Sequence, residues 1–119
     1  MVAHQQLICA SADLVDGGDG VRFVVATDRG EAAAFVVRHE GCAHAYLNRC
    51  AHVSVELDWT PGQFFDESGL YLVCATHGAL YEPSSGRCVG GPCTGARLQG
   101  LAVEERDGAI YLSMTPPNE

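Results

Sequence analysis

Two short motifs combine a cysteine with a histidine, and together they could hold a metal centre. They are Cys50-Ala51-His52 and Cys74-Ala75-Thr76-His77-Gly78. In each motif the thiolate and the imidazole are close in sequence, so one tight loop can direct both at the same centre. Two such loops supply two sulfur and two nitrogen ligands, a complete set for a tetrahedral ion or a two-iron cluster. A single Cys-x-His motif would be weak evidence, whereas the pair is specific.

The same four side chains could instead hold a structural zinc ion, since Cys₂His₂ zinc sites are common. Zinc fingers, however, usually pair cysteine with cysteine and histidine with histidine. The mixed pairs of this chain do not follow that pattern, but from the ligand types alone zinc and an iron–sulfur cluster both stay open. A catalytic cysteine–histidine dyad fits less well, because it does not explain why the pair occurs twice.

The regions on either side of the motifs have the pattern of paired β-strands. The candidate strands are residues 21–26, 32–38, 43–47, 70–73, 101–106 and 109–113. Asp28-Arg29-Gly30 and Asp107-Gly108 each separate two of these runs and are hairpin signals. No window has a helical period longer than about two turns. The sequence therefore predicts an all-β, mainly antiparallel fold.

Glycine and proline concentrate in the middle of the chain, from Pro61-Gly62 to Gly95. The regular strand pairs lie on both sides of this region. We therefore expect a single domain over residues 1–119. Its β base would come from about residues 1–45 and 95–119, and a loop-rich subdomain from about residue 46 to 94 would be inserted into it.

Composition limits the partners and the compartment. The chain has 119 residues, 7 Lys+Arg against 15 Asp+Glu and a net charge of −8, which argues against nucleic acid or an anionic membrane as a partner. The N-terminal segment lacks the features of a signal peptide, and no apolar run is long enough to span a bilayer. We expect a cytoplasmic protein, in which the 6 cysteines serve metal binding or catalysis more readily than disulfides.

The two motifs closely resemble those of the Rieske iron–sulfur proteins. The family's pattern is C-x-H, a spacer and C-x-x-H-G, and here Asn48-Arg49-Cys50-Ala51-His52 is followed after 21 residues by Cys74 through Tyr81. Gly86-Arg87-Cys88 and Gly90-Gly91-Pro92 resemble the family's glycine turn and proline loop. The resemblance covers about residues 34–112 and implies a β base with a cluster-binding subdomain.

By this resemblance the chain would hold one [2Fe–2S] cluster. Cys50 and Cys74 would bind one iron, and His52 and His77 would bind the other. Tyr81 matches the tyrosine that hydrogen-bonds a ligand thiolate in the family. Histidine ligation places the reduction potential between about −150 and +300 mV.

Three positions differ from the high-potential members of the family. Val55 and Thr76 occupy the places of two cysteines that form a disulfide there, so that disulfide is absent. Ala79 replaces a serine that hydrogen-bonds a bridging sulfide. We therefore expect a potential in the low to middle part of the Rieske range. Cys88 and Cys93 flank the proline loop and could form a disulfide, although reduced thiols are favoured in the cytoplasm.

The resemblance implies a one-electron carrier that takes electrons from a flavin reductase and passes them to a terminal oxygenase or similar acceptor. The oxygenase members carry an added mononuclear-iron domain, for which 119 residues leave no room, so we expect no catalytic activity of its own. The alternatives are a redox-sensing or accessory iron–sulfur subunit and, less favoured, a structural zinc module.

The remaining notable side chains have ordinary interpretations. Cys9 and Cys42 are in apolar surroundings, so we expect them to be buried. Trp59, Phe64 and Phe65 could cover the cluster subdomain or, alternatively, form an exposed rim to which a redox partner docks.

Overall fold

The described part of the chain contains ten β-strands and one 3-10 helix, joined by turns and loops. The computed structural model describes residues 5–27, 30–49, 56–58, 60, 62–75, 78–91 and 96–113. The strands are β1 (Gln5–Ala10), β2 (Val21–Thr27), β3 (Gly30–His39), β4 (Cys42–Leu47), β5 (Leu72–Val73), β6 (Leu80–Tyr81), β7 (Cys88–Gly90), β8 (Gly100–Leu101), β9 (Val103–Arg106) and β10 (Ala109–Ser113). The helix is Ser11–Asp13. All strand pairs are antiparallel, so the expected all-β fold is confirmed.

The largest sheet has the order β2-β3-β4-β8. The two strand runs predicted at 21–26 and 32–38 pair as β2 and β3, whereas Asp28 and Arg29, which connect them, lie outside the described residues. A two-residue turn at Glu40 and Gly41 joins β3 to β4. The carboxylate of Asp16 accepts the N–H groups of Glu40 and Gly41 at 2.9 and 2.6 Å. These two hydrogen bonds, that from Gly41 foremost, lower the pKa of Asp16.

A second sheet has the order β1-β10-β9 and brings the two ends of the described chain together. Asp107-Gly108 forms the turn between β9 and β10, with positive φ at both residues, as the sequence predicts. β1 is not among the predicted strands. It pairs with β10 from Gln5↔Ser113 to Ala10↔Ala109, and its register shifts between Leu7 and Cys9.

The third sheet, β5-β6-β7, is small and lies within residues 72–90. The strand predicted at 70–73 is shorter than expected, because only Leu72 and Val73 pair. Leu70 and Tyr71 are exposed, since a tight turn precedes them in which the N–H of Gly69 donates to the Asp66 carbonyl oxygen at 3.0 Å. Within the described residues, no helix is long and apolar enough to cross a membrane.

The main core connects the large sheet to the small one. The ring of Phe35 on β3 stacks on Phe64, with centroids 4.0 Å apart, and lies 5.9 Å from the ring of Tyr46 on β4. Burial of these rings supplies much of the hydrophobic stabilisation. The other buried members of this core are Val37, Leu57, Leu72, Cys74, Ala79, Tyr81, Cys88 and Leu98.

The expectation that Cys9 and Cys42 are buried is wrong, and for Phe64 and Phe65 the alternative of an exposed docking rim is wrong too. Cys42 is exposed, because it is the first residue of β4, directly after the tight turn, and Cys9 is only half-buried. Phe64 is completely buried and Phe65 packs partly against the same core, so neither forms an exposed rim. Trp59 lies outside the described residues.

Candidate metal centre

Cys74 follows β5 directly and lies at the start of a closed turn. Its N–H donates to the carbonyl oxygen of Ala79 at 2.9 Å, and the N–H of Gly78 donates to the carbonyl oxygen of Cys74 at 2.8 Å. Gly78 has φ +72, and a Cβ there would meet no atom within 4 Å. The motif therefore needs glycine after its histidine for backbone conformation and not for space. The turn fixes the backbone of Cys74.

The other three predicted ligands are Cys50, His52 and His77, and all of them lie outside the described residues. Their coordination of a metal therefore stays a prediction. Among the residues that the structure does describe, no three His, Cys, Asp or Glu side chains are grouped to hold a metal ion.

Tyr81, the fifth predicted site residue, lies on β6 and is completely buried. It pairs with Leu72 of β5, two residues before Cys74. Cys74 and Tyr81 also belong to the same buried core, together with Ala79. The structure thus brings the two described site residues into one water-excluded region, as a hydrogen bond from a tyrosine to a ligand thiolate would require.

The glycine turn and the proline loop pack closely against their surroundings. A Cβ at Gly91 would lie 2.9 Å from the Cα of Ala79, so the backbone at Gly91 lies directly on the turn that begins at Cys74. Near Gly86, the hydroxyl of Tyr46 donates to the carbonyl oxygen of Pro83 at 2.6 Å. Burial raises the pKa of Tyr46 to about 12. Pro92 and Cys93 lie outside the described residues, so a Cys88–Cys93 disulfide is not tested.

A buried polar network joins the two ends of the first motif loop. Leu57 N–H donates to Asn48 Oδ1 at 2.9 Å, and Asn48 Nδ2 donates to Asp58 Oδ1 at 3.0 Å. The other carboxylate oxygen of Asp58 accepts the N–H of Gly62 at 3.0 Å. We call these four residues the Asn48 network. Because Asn48 precedes Cys50 and Leu57 follows residue 55, the network closes the loop that carries the first motif.

The same network reaches the large sheet and the second motif. The backbone N–H of Asn48 donates to the Ala33 carbonyl oxygen at 2.9 Å, and Ala75 N–H donates to the Leu57 carbonyl oxygen at 3.0 Å. Asn48 and Asp58 are the two buried polar or charged residues of the described chain. Sequence reasoning missed them, because Asn and Asp in a glycine- and proline-rich segment have the pattern of surface loop residues.

The described residues fit a cysteine-ligated cluster. A thiolate that binds iron has to be held in a fixed position and shielded from competing water. Cys74 is 0% exposed, and its backbone is fixed by two hydrogen bonds. A buried cysteine at the start of a closed turn meets both requirements.

The comparison with protein families agrees with this chemistry. The model of the Rieske [2Fe–2S] domain matches residues 4–106. This chain belongs to the Rieske [2Fe–2S] family. Its cofactor is accordingly one [2Fe–2S] cluster per chain. The match begins upstream of the 34–112 range on which the resemblance rested, and so it includes β1. Among curated protein sequences, none matches this chain.

Solved structures share the Rieske fold over almost the whole chain. A structure of the complex of reduced oxygenase and oxidized ferredoxin in carbazole 1,9a-dioxygenase matches at 23% identity and a TM-score of 0.71, covering 97% of both chains. The Sphingomonas yanoikuyae B1 ferredoxin matches at 20% identity and a TM-score of 0.72, covering 94% of this chain and 100% of the ferredoxin.

A larger protein contains the same fold as one part of its chain. The terminal oxygenase of carbazole 1,9a-dioxygenase from Novosphingobium sp. KA1 matches at 22% identity and a TM-score of 0.75. The match covers 96% of this chain but only 31% of that oxygenase chain. At these identities the likeness shows the fold, and the residues of the site have to carry any argument about function.

Proposed function

We propose that this Rieske protein is a cytoplasmic one-electron carrier that takes electrons from a flavin reductase and passes them to a terminal oxygenase or a similar acceptor. The observation that carries the proposal is the coverage of the structural matches. This chain and the Sphingomonas yanoikuyae B1 ferredoxin overlap over 94% and 100% of their lengths.

We further propose that Cys50, His52, Cys74 and His77 hold the cluster, which supplies a one-electron redox couple when it is bound. The burial of Cys74 and its closed turn support this ligand set. Tyr81 is placed in the same core, where its hydroxyl would stabilise the negative charge of a ligand thiolate. His52 and His77 would form the port through which electrons enter and leave.

The arrangement of sheets supports a division into a base and a cluster-binding subdomain. The small sheet lies within residues 72–90, and the two larger sheets take their strands from residues 5–47 and 100–113. We propose that the inserted segment, from about residue 46 to 94, binds the cluster. The net charge of −8 favours docking to a basic surface on a redox partner.

The test combines metal identity with electron transfer. The protein, purified without oxygen, should be brown and contain two irons and two sulfides per chain. On reduction it should give a rhombic electron paramagnetic resonance (EPR) signal with an average g below that of all-cysteine clusters. A colourless protein with one zinc would refute the proposal.

Stopped-flow mixing then separates a carrier from a sensor. Fast reduction by a flavoprotein reductase and fast reoxidation by a Rieske oxygenase are expected of a carrier. A protein with the Rieske signal that exchanges electrons slowly with both, but binds a partner differently in its two redox states, would instead be a sensor or accessory subunit. Cys42→Ser is a suitable control, because Cys42 is exposed and outside the proposed ligand set.

A further inference from the structure

The Asn48 network places a carboxylate in the interior, at a residue that follows the first motif closely in the sequence. The side chain of Asp58 is 0% exposed and makes hydrogen bonds with Asn48 and with the backbone of Gly62. A carboxylate is costly to bury, and burial is tolerated when partners satisfy its oxygens. Asn48 and Gly62 satisfy its two oxygens, so the carboxylate has a fixed position in the interior.

We propose that Asn48 and Asp58 are positioning residues for the cluster, which fix the first motif loop and hold the reduction potential down. This inference rests on the proposed assignment of Cys50 and His52 as ligands. Outer-sphere groups of this kind orient the ligands and tune the metal without touching it. Asn48 and Asp58 would act through the backbone of the loop and through the charge of the carboxylate.

The hydrogen bonds of Asn48 support the first part of the proposal, that the first motif loop is fixed in position. Asn48 accepts from Leu57 N–H at 2.9 Å, which fixes the distance between the two ends of the loop. Leu57 in turn accepts from Ala75 N–H, and Asn48 donates to the Ala33 carbonyl oxygen. One asparagine therefore connects the large sheet, the first motif loop and the second motif. Loss of its side chain would break the hydrogen bond between the two ends of the loop, while the two backbone hydrogen bonds would remain.

The charge of Asp58 supports the second part of the proposal, the lower reduction potential. The nearest cation, Arg22, has its Nε 3.5 Å from Asp58 Oδ2, but its Nη2 lies 2.7 Å from the carboxylate of Glu56. Arg22 and Glu56 are both partly exposed, so water screens their charges more than that of the fully buried Asp58. One cation is thus shared by two carboxylates, and the group of three side chains keeps a net charge of −1. This remaining negative charge would make the addition of an electron to the cluster less favourable.

The test uses a swap of the two side chains. Asp58→Asn alone turns one acceptor oxygen into a donor, which then faces either Asn48 Nδ2 or the Gly62 N–H. Asn48→Asp alone brings two carboxylates together. In the double variant Asn48→Asp/Asp58→Asn, the new carboxylate accepts from Leu57 N–H and from the new amide, whose oxygen accepts from Gly62. All three hydrogen bonds are kept, and only the position of the charge changes.

In Asp58→Asn we expect a higher reduction potential by EPR-monitored titration, a changed g-tensor and cluster loss to a chelator at least about tenfold faster. The double variant should restore the wild-type rate of cluster loss and return the potential towards or below the wild-type value. Glu56→Gln removes the same charge from an exposed neighbour and is the matched control. It should change neither the g-tensor nor the rate of cluster loss.

Each other outcome overturns the proposal. An unchanged potential and g-tensor in Asp58→Asn would leave the network with a purely structural role. If Asp58→Asn does not retain a cluster, the double variant decides, and its failure to retain one would contradict positioning by hydrogen bonds. A wild-type protein without the Rieske signal would refute the proposed function first. If the wild type gives the Rieske signal but Asp58→Asn changes neither the reduction potential nor the g-tensor, only this inference is refuted.

Discussion

The large sheet and the small sheet of this protein are stabilised in different ways. Strands β2, β3 and β4 have 7, 10 and 6 residues, whereas β5, β6 and β7 have 2, 2 and 3. Long strands with continuous register make many ladder hydrogen bonds and bury apolar side chains along their length. The short ones are held by turns, by the buried Asn48 network and, on the proposed ligand set, by the cluster. The small sheet therefore has few ladder hydrogen bonds of its own, and the placement of the proposed ligands depends on the turns and on the Asn48 network.

Loss of a proposed ligand should give the largest difference in stability between the small sheet and the large sheet. On the proposed ligand set we expect Cys74→Ser to lose most of its cluster, because a serine hydroxyl is a much weaker iron ligand than a cysteine thiolate. Amide hydrogen exchange should then accelerate in the small sheet, at Leu80 and Tyr81, far more than in β2 and β3. Cys42→Ser, at an exposed cysteine, should keep the full iron content and visible absorbance. Equal loss of protection in both sheets would show that they fold as one cooperative unit.

The aromatic contact between the regions should have the next largest effect. Phe35→Ala removes a ring that stacks on Phe64 at 4.0 Å in a fully buried site, so it should lower the free energy of unfolding by about 3–5 kcal/mol. Denaturant unfolding followed by circular dichroism gives this value. Phe23→Ala, at a half-buried position of β2, is the control and should cost less. A cost for Phe35→Ala no greater than that of the control would mean that the contact does not couple the sheets.

A hydroxyl at position 79 should change the reduction potential of the cluster. By the family resemblance, Ala79→Ser would add the donor to a bridging sulfide that high-potential Rieske proteins have, and such a donor favours the reduced state. We expect the reduction potential to rise by up to about 60 mV, which is tenfold in the equilibrium constant of a one-electron couple. Ala102→Ser, at an exposed position outside the small sheet, should leave it unchanged. An unchanged or lower potential in a folded Ala79→Ser variant would contradict the assignment.

The smallest effect is expected in the base, at an ion pair on its surface. The guanidinium of Arg38 donates to both carboxylate oxygens of Glu105, at 3.0 and 2.8 Å, and holds the pKa of Glu105 at about 2. Since the folded-state pKa is depressed, the pair stabilises the fold above the ordinary carboxyl range and loses its contribution as pH falls through about 2. Partial exposure limits this contribution to about 1 kcal/mol.

The difference in unfolding free energy between wild type and Glu105→Gln measures that pair. It should be constant above pH 5 and shrink steadily as the pH falls towards about 2. Glu104→Gln changes a neighbouring surface charge and serves as the control. A difference that is the same at pH 7 and at the acid end would contradict the role of Glu105 ionisation.

The sequence predicts the hairpins well, because their signals are local. Asp107-Gly108 supplies the two positive-φ residues that a tight turn needs, and the apolar runs beside it set the register. β1 was missed for a non-local reason. Its partner β10 is about a hundred residues away, and the register shift between Leu7 and Cys9 interrupts the alternation that would reveal a strand.

The site was predictable in part for the same reason. Ligand spacing is local, so the two motifs are visible in the sequence. The placement of Cys74 and Tyr81 in one core depends on pairing between β5 and β6. The sequence pointed to this proximity only through the family resemblance, in which a tyrosine at position 81 hydrogen-bonds a ligand thiolate. The Asn48 network depends on chain folding that brings residue 48 to residue 58, and no sequence pattern distinguishes a buried asparagine from a loop asparagine.

The pairing of β1 with β10 has a consequence for how this fold is used in larger proteins. Gln5 and Ser113 are opposite each other in the ladder, so the beginning of β1 and the end of β10 are adjacent. A unit with adjacent ends can be inserted into a loop of another protein without disturbing either partner. The same topology therefore suits both a small separate protein and one part of a longer chain, as the matches to a ferredoxin and to a terminal oxygenase illustrate.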